Sequence, residues 1–399
     1  MKSKVSIIIL SYNSLEETTK PCIESIYNCR THVDFETIVV DNLSIDGTRA
    51  YLLRVCNSYR NFRIILNDKN YGFAGGNNLG IKSSNADYYI LLNSDTIVTD
   101  YWIDKIVDFF KDHQEAGLAG PVSNSVGNEQ CIYIKSTSED DIMREGTRWS
   151  EKYKKNFFYT SMLGFFCVAI KKEVIEKVGL LDENYGLGMF EDNDYCIRVI
   201  QNGYKLACLE DVFIYHKGSV SFSKLGNKSD EIFFDNLKKF EDKFKVKWKS
   251  HLNNDTFISV ILQYLEVIEH ENIDGIKEKI QNRLEIMKNF DYASKNLECI
   301  DFWKQTLQKD IEINKLCQEV LEKEIEKEFL NKSLNELYNN IKIAQATKAW
   351  KIMCLLRRIN KQLFKGNFNE KKKFFIWIIN KLFRKPVNSE LELINFSPI

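Results

Sequence analysis

The chain reads as short apolar runs that end in polar tips. Val5 to Leu10 (VSIIIL) is a continuous β-branched run, the pattern of a parallel strand buried on both faces, and Ser11-Tyr12-Asn13 is its tip. Ser14 stands three residues before Glu17, a capping-box spacing that predicts a helix, in which Pro21 marks either a kink or the start of the regular part. Glu36 to Val40 predicts a second strand, ending in Asp41-Asn42. Asp46-Gly47-Thr48 then opens a helical stretch to about Cys56. Phe62 to Leu66 predicts a third strand, ending at Asn67. A glycine-rich turn, Tyr71 to Asn78, leads from it into a helix. A fourth strand follows Asp87 and ends in Asn93-Ser94-Asp95. Strand, polar tip and helix repeated four times predict a doubly wound, mostly parallel α/β sheet.

Beyond it, Trp102 to Lys111 predicts a helix, and Gly117 to Pro121 a short strand and turn. Residues Gly127 to Lys155 are polar and irregular and read as a loop over the site. Met162 to Ile170 reads as a buried strand, Lys172 to Val178 as a helix, and Gly179 to Glu183 as a turn. Phe190 to Arg198 (FEDNDYCIR) places three carboxylates at a helix start, and by itself reads as a capped, solvated N-terminus. Two strands, Leu206 to Cys208 and Val212 to Tyr215, then end at His216-Lys217-Gly218-Ser219.

The C-terminal third changes character. Phe233, Phe234, Leu237, Phe240, Phe244 and Trp248 have helical spacing and are expected to pack back on the first 250 residues. A helical extension covers 251–300. A heptad through Ile313, Leu316, Val320, Leu330, Leu334, Leu337, Ile341 and Ala344 is broken by Lys323 and Lys327. It reads either as a coiled coil over 301–345, which would make a homo-oligomer, or as an amphipathic helix packed on its own chain.

Composition adds limits. A chain of 399 residues with 44% hydrophobic residues can fill two or three domains. The net charge is zero, yet Lys342 to Lys385 holds thirteen Lys and Arg against the single acid Glu370. That basic tail, 346–399, interleaves Trp350, Leu355, Leu356, Phe374, Phe375 and Trp377 with its charges, a pattern suited to lying in an anionic membrane surface. A structural helix pair is the other reading, and no recognition fold accompanies the tail to suggest nucleic acid. Ten cysteines show no CxxC pair and no zinc spacing, which fits a reducing cytosol. The N-terminal apolar run is too short for a signal peptide, and no run reaches a membrane span.

Two stretches carry candidate chemistry. A lone Asp95 after a strand is an ordinary turn former or N-cap, but at the carboxyl edge of a buried strand it is placed where open α/β sheets keep ligands. The turn after the first strand, SYNSLEE, has no glycine, and Gly75-Gly76 do not belong to a GxGxxG, which argues against a dinucleotide fold.

Taken together, VSIIILSYN, VVDNLSIDGT, NYGFAGGNNLGI, LLNSDT, GFFCVAIKKEVIEKVGLLDE, FEDNDYCIR and YHKGS resemble, in order, the motifs of the family 2 glycosyltransferases. These are inverting, sugar-nucleotide-dependent enzymes of the GT-A fold, and the nearest likeness is to rhamnosyltransferase-like members. The resemblance covers about residues 1–250. It implies a divalent cation, Mn2+ or Mg2+, held by Asp95 and His216, because the family's DxD motif stands here as Asn93-Ser94-Asp95 with one carboxylate missing. It implies Asp41 on the base, and Ser11, Tyr12, Asn13, Asn70, Gly75, Gly76, Asn78, Asn93 and Ser94 around the nucleotide sugar. Asp192 is implied as the catalytic base, with Glu191 and Asp194 orienting neighbours and Arg198 able to pair with Asp194 at i+4. The processive QxxRW motif is lacking after FEDND; Glu145 to Trp149 matches it only in part and precedes it.

The expected function is therefore transfer of a single hexose or deoxyhexose, rhamnose among them, from UDP or dTDP to a glycan acceptor, lipid-linked, in surface polysaccharide synthesis. The expected location is cytoplasmic, peripheral on the inner face of the plasma membrane. The alternative is a non-catalytic sugar-nucleotide-binding or scaffold protein.

Overall fold

A computed structural model describes residues 4–218, 227–251, 254–266 and 273–293. The expectations for 301–345 and for the basic tail 346–399, together with Ser219, lie outside the described residues. Among the described residues no helix is long and apolar enough to cross a membrane.

Strands β1 (Val5–Ser11), β2 (Phe35–Asp41), β3 (Phe62–Leu66) and β4 (Tyr88–Asn93) alternate with helices α1 (Lys20–Asn28), α2 (Thr48–Ser58), α3 (Gly72–Lys82) and α4 (Trp102–Asp112). There follow β5 (Thr96–Ile97), β6 (Ala116–Val122), α5 (Glu139–Lys152), β7 (Phe157–Thr160), β8 (Cys167–Lys171), α6 (Lys172–Val178), α7 (Glu191–Gln201), β9 (Lys205–Phe213) and β10 (Tyr215–His216). Three helices, α8 (Asn227–Phe244), α9 (Asn254–Glu266) and α10 (Ile273–Ala293), complete the described chain.

Eight strands form one sheet in the order β3-β2-β1-β4-β8-β6-β9-β7, with β5 and β10 as a separate antiparallel pair. The pairs β1/β2, β1/β4, β2/β3 and β6/β9 are parallel, whereas β8 runs antiparallel to both neighbours. This is the mostly parallel α/β sheet that the repeating strand and helix pattern predicts. The β-branched run of β1 is buried on both faces because it lies between β2 and β4 with helices above and below. Ile7 and Ile9 pack with Ile23, Leu52, Trp102 and Phe110 of α1, α2 and α4, while Ile8 packs with Ala74 and Ile81 of α3. Each such side chain contributes on the order of 1.5–3 kcal/mol.

Several local expectations are corrected. The glycine-rich segment is not a turn leading into a helix but the first half of α3 itself. A Cβ on Gly76 would lie 2.2 Å from Leu10 Cδ1, and one on Gly80 2.4 Å from Ile8 Cγ2, so these glycines let α3 sit directly on β1. Ser14 is left-handed (φ 59°) and makes no side-chain cap; the Leu15 N–H is taken by Asp46, and the helix opens with a π turn. Pro21 stands in the first turn of α1, where its missing N–H costs nothing. The expected loop 127–155 contains the 14-residue helix α5, capped by Ser138, which accepts from Asp141 N. The strand expected over 162–170 begins only at Cys167, and β7 is an edge strand the pattern did not reveal.

The two strands expected at 206–208 and 212–215 are one strand, β9, with a register shift between Pro121/Leu209 and Val122/Phe213. The shift turns Glu210 inward, where it is fully buried. There it accepts from Tyr264 Oη (2.5 Å) and pairs with Lys279 Nζ (3.2 Å) and Arg283 Nη2 (3.3 Å). Arg283 also donates to the carbonyls of Glu129 and Cys131. The helical extension is thus fastened to the sheet by a buried charge cluster. The aromatic run of α8 packs back as its spacing implied: Phe190 meets Phe233, Phe240 and Trp248 at centroid distances of 5.2–5.4 Å, while Phe234 is exposed.

Removing one member of a buried ion cluster strands the others. Arg283→Met is expected to lower the unfolding free energy by about 3 kcal/mol, read from urea midpoints. The double variant Arg283→Met/Glu210→Gln is expected to recover part of that loss.

Candidate active site

All four leading parallel strands deliver their polar tips to the same sheet edge, and Ser11 stands in register with Asp41. β1 lies between β2 and β4 and runs parallel to both, so the chain order reverses there, the position where open sheets leave a crevice.

After β4 the chain turns at Asn93-Ser94, with the Thr96 hydroxyl donating to Asn93 O (2.7 Å). Asn93 and Ser94 are half-buried at this turn. The short β5 then pairs with β10, His216 opposite Thr96, which brings His216 Nε2 to 3.3 Å from Asp95 Oδ1. The imidazole is held on every side. Its ring stacks on Phe166 (5.0 Å), its backbone is clamped in both directions by Asn124, and its Nδ1 faces Ser125 O at 2.6 Å. Donation from Nδ1–H to that carbonyl leaves Nε2 as a lone pair facing a carboxylate oxygen. A carboxylate oxygen and an imidazole nitrogen at this separation can share a cation, a proton or a metal, and adjacent ligands of an octahedral ion at roughly 2.1 Å lie about 3 Å apart. The pair therefore fits a divalent metal. Among the described residues no group of three or more His, Cys, Asp or Glu could hold one, so the remaining positions would fall to a bound ligand and water.

Asp41 is fully buried at the end of β2. Its Oδ2 accepts from Arg49 Nε (2.6 Å) and Ser44 N (3.1 Å), and its Oδ1 has no partner among the described residues. A buried, unpaired carboxylate oxygen at a crevice is suited to receive an N–H from a ligand. Asn13, left-handed at φ 56°, links the loops after β1 and β2 by donating to Ser44 Oγ and accepting from Ile45 N. Tyr12 is exposed beside it, and the Ser11 hydroxyl turns inward to Thr19 (3.3 Å).

Four residues expected around the nucleotide also hold scaffold. Asn70 Oδ1 accepts from Gly72 N and Asn42 Nδ2. Asn78 donates to Leu181 O and Glu183 Oε1 and accepts from Leu181 N, which fixes the turn before α7. Gly75 and Gly76 lie inside α3, where their amides serve the helix, and Gly76 packs on Leu10.

The helix α7 separates its three acids. Asp194 is buried and saturated by Arg198 Nε (2.6 Å), Tyr185 Oη (3.1 Å) and Lys243, so its role is to tie α7 to α8. Asp192 is half-buried and accepts only from Asn193 N (2.8 Å) among the described residues. Burial pushes its carboxyl up to about 6. Glu191 is pushed up further, first by burial and then by the charges of Asp192 and Asp194, and its Oε2 has no partner among the described residues. Neither carboxylate is a solvated cap. The loop 161–166 joins the two halves: Phe166 lies under His216, while Phe165 and Leu163 meet Tyr195 and Cys196 of α7. Asn124, Ser125, Phe166 and Arg49 carry no sequence signal of their own, because their partners are distant along the chain.

A family model, glycosyl transferase family 2, matches residues 6–179. An uncharacterized glycosyltransferase of Haemophilus influenzae is 23% identical over 278 residues, covering 68% of this chain and 81% of the relative. A low-salt glycan biosynthesis hexosyltransferase of Haloferax volcanii is 25% identical over 248 residues, covering 60% and 75%. An uncharacterized protein of Sinorhizobium fredii is 24% identical over 265 residues, and the match covers 62% of this chain but only 28% of that longer protein. A mannosyltransferase from Pyrobaculum calidifontis, solved with GDP-Man and Mn2+, has 13% identity and a TM-score of 0.45, covering 75% of this chain and 89% of that one. Asp192 and His216 lie beyond the residues that the family model matches.

The acids of α7 are expected to differ in stability. Asp194→Asn is expected to cost about 1–3 kcal/mol in urea unfolding, since it weakens the buried acceptor of Arg198 and Tyr185, while the partly exposed Lys243 keeps Asp182. Asp192→Asn is expected to be neutral or stabilising at pH 8, where the wild-type carboxylate is ionised against its surroundings. The difference from wild type is expected to vanish below about pH 4, where that carboxyl is protonated in both states.

Proposed function

We propose that the chain, whose residues 6–179 match the glycosyl transferase family 2 model, is a glycosyltransferase that moves one hexose or deoxyhexose from UDP or dTDP to a glycan acceptor with inversion. The observation that carries this reading is the Asp95–His216 pair, whose facing lone pairs suit a Mn2+ or Mg2+ ion. Asp95 and His216 would hold such an ion, which when bound would neutralise the diphosphate and make it a good leaving group. Asp41, paired with Arg49 through Oδ2, would accept the imide N–H of uracil or thymine through Oδ1. Asp192 takes the proton of the acceptor hydroxyl as that oxygen bonds to the anomeric carbon and the bond to the diphosphate oxygen breaks on the opposite face. Asn93, Ser94, Tyr12 and Asn13 line the remaining donor side. Asp194 anchors the helix on which the base sits, and Glu191 stands behind it.

Rhamnose remains one of the donor sugars this reading admits, and a lipid-linked glycan is the acceptor that would meet a basic tail at the inner face of the membrane. The thirteen Lys and Arg between Lys342 and Lys385 are the sequence basis for that placement. The Haloferax hexosyltransferase of glycan biosynthesis supports the acceptor class.

A panel of UDP-, dTDP- and GDP-sugars with Mn2+, followed by nucleotide release in the presence of lipid-linked glycan, tests the reading. Turnover is expected with a UDP- or dTDP-sugar, and loss of it on chelation; turnover with GDP-sugars alone would sink the assignment of Asp41. Asp192→Asn is expected to bind UDP and Mn2+ normally and to lose at least about a hundredfold in kcat. A base must be unprotonated to act, so wild-type kcat/KM is expected to fall tenfold per pH unit below about 6. Deleting residues 345–399 is expected to release the protein from sedimented membranes without loss of nucleotide binding.

A further inference from the structure

Helices α5 and α10 enclose a groove of about 640 Å³ that takes no part in the site described above. One wall is a single face of α5, with Glu145, Arg148, Trp149 and Lys152 at helical spacing. The other is a single face of α10, with Glu278, Gln281, Asn282 and Glu285 at the same spacing. Ile132 and Ile134 form the floor. The walls are built, not accidental. Asn282 exchanges two hydrogen bonds with the backbone of Tyr133 (2.9 and 2.8 Å), Lys152 pairs with Glu278 across the groove, and Arg283 and Lys279 fasten the opposite face of α10 inside the protein.

Three polar groups on these walls are left over. Trp149 is 8% exposed and its indole Nε1–H has no hydrogen-bond partner among the described residues. Leaving such a donor unpaired in a buried position costs on the order of 1–3 kcal/mol, which a ligand would recover. Arg148 is exposed and has no ion pair or hydrogen bond among the described residues, and the carbonyl oxygen of Gln281 is likewise unpaired there. An indole, a guanidinium and a planar amide around a small apolar floor match the alternating apolar faces and hydroxyl edges of sugar rings. Three carboxylates against two bases disfavour an anionic ligand.

The groove is also correctly placed for a chain already engaged in the reaction. The first residue of α5, Glu139, accepts a hydrogen bond from Tyr215, the neighbour of His216. Arg148 lies nine residues further along the helix, about 13 Å at 1.5 Å per residue. We propose that this groove binds a neutral oligosaccharide, the part of a glycan acceptor distal to the end being extended. The proposal rests on the transferase reading for its choice of ligand, but the binding it requires needs no donor.

The test uses the full chain on an array of neutral and acidic glycans without nucleotide. Wild type is expected to bind at least one neutral oligosaccharide longer than two sugars. Arg148→Ala/Gln281→Ala and, separately, Trp149→Phe, which keeps the ring packing but removes the N–H, are expected to weaken it at least about fivefold. UDP binding with Mn2+ is expected to remain at the wild-type level in both variants. Absence of neutral glycan binding, preference for acidic glycans, or binding unchanged in both variants would overturn the proposal. Loss of UDP binding in the wild type would instead count against the transferase reading, and the two failures are read in separate assays.

Discussion

The burial of β1 on both faces is the constraint from which the rest of the structure follows. A strand of Val and Ile hydrogen-bonded to β2 and β4 and covered above and below has no surface left except its ends. Chemistry is therefore confined to the carboxyl edge, where Ser11, Asp41 and Asn93 arrive together. The covering helix α3 can reach β1 only because Gly76 and Gly80 have no side chains, so these two glycines serve packing. The same economy holds for the asparagines. Asn42, Asn67, Asn70 and Asn78 hold the loops after the strands in place, and the edge left open is correspondingly rigid.

Buried charge serves two distinct ends in this protein. Around Asp194 and Glu210 it is fully compensated, each carboxylate meeting two cations and a tyrosine hydroxyl, and the result is attachment of α8 and α10 to the sheet. Around Asp192 and Glu191 it is left uncompensated, and the carboxyls are pushed upward by burial. The first arrangement gives fixed geometry, the second a group ready to take a proton. That both occur within one turn of α7 explains why three acids in four residues do not behave as a single cluster.

The site is completed by pairings between distant segments. Four residues, Thr96 and Ile97 with Tyr215 and His216, bring a histidine to an aspartate more than a hundred positions away. Ser125 then selects the tautomer, and Phe166 supports the ring. The bulge in β9 that buries Glu210 lies on the same strand that leads to His216, so the helical extension and the Asp95–His216 pair share one structural path.

By itself the sequence determined the repeating strand and helix order, the polar tips, the family motifs and the basic tail. Each of these is a local pattern: period two or continuous apolar runs for strands, period 3.6 for the face of α8, and residue types in fixed succession for the motifs. Local patterns could also place Asp95, Asp192 and His216 as candidates. Only the tertiary structure decided which acid is free and which is spent, because Asp192 and Asp194 differ in nothing but the partners that Lys243, Tyr185 and Arg198 bring to one of them. It also decided that the polar stretch around Glu139–Lys152 is a helix, since its buried face packs on β9, where Gly146 lies against Phe213. A buried ion cluster such as Glu210 with Lys279 and Arg283 has no local signature at all: burial is a property of what surrounds a residue, and here the surroundings come from segments about seventy positions apart.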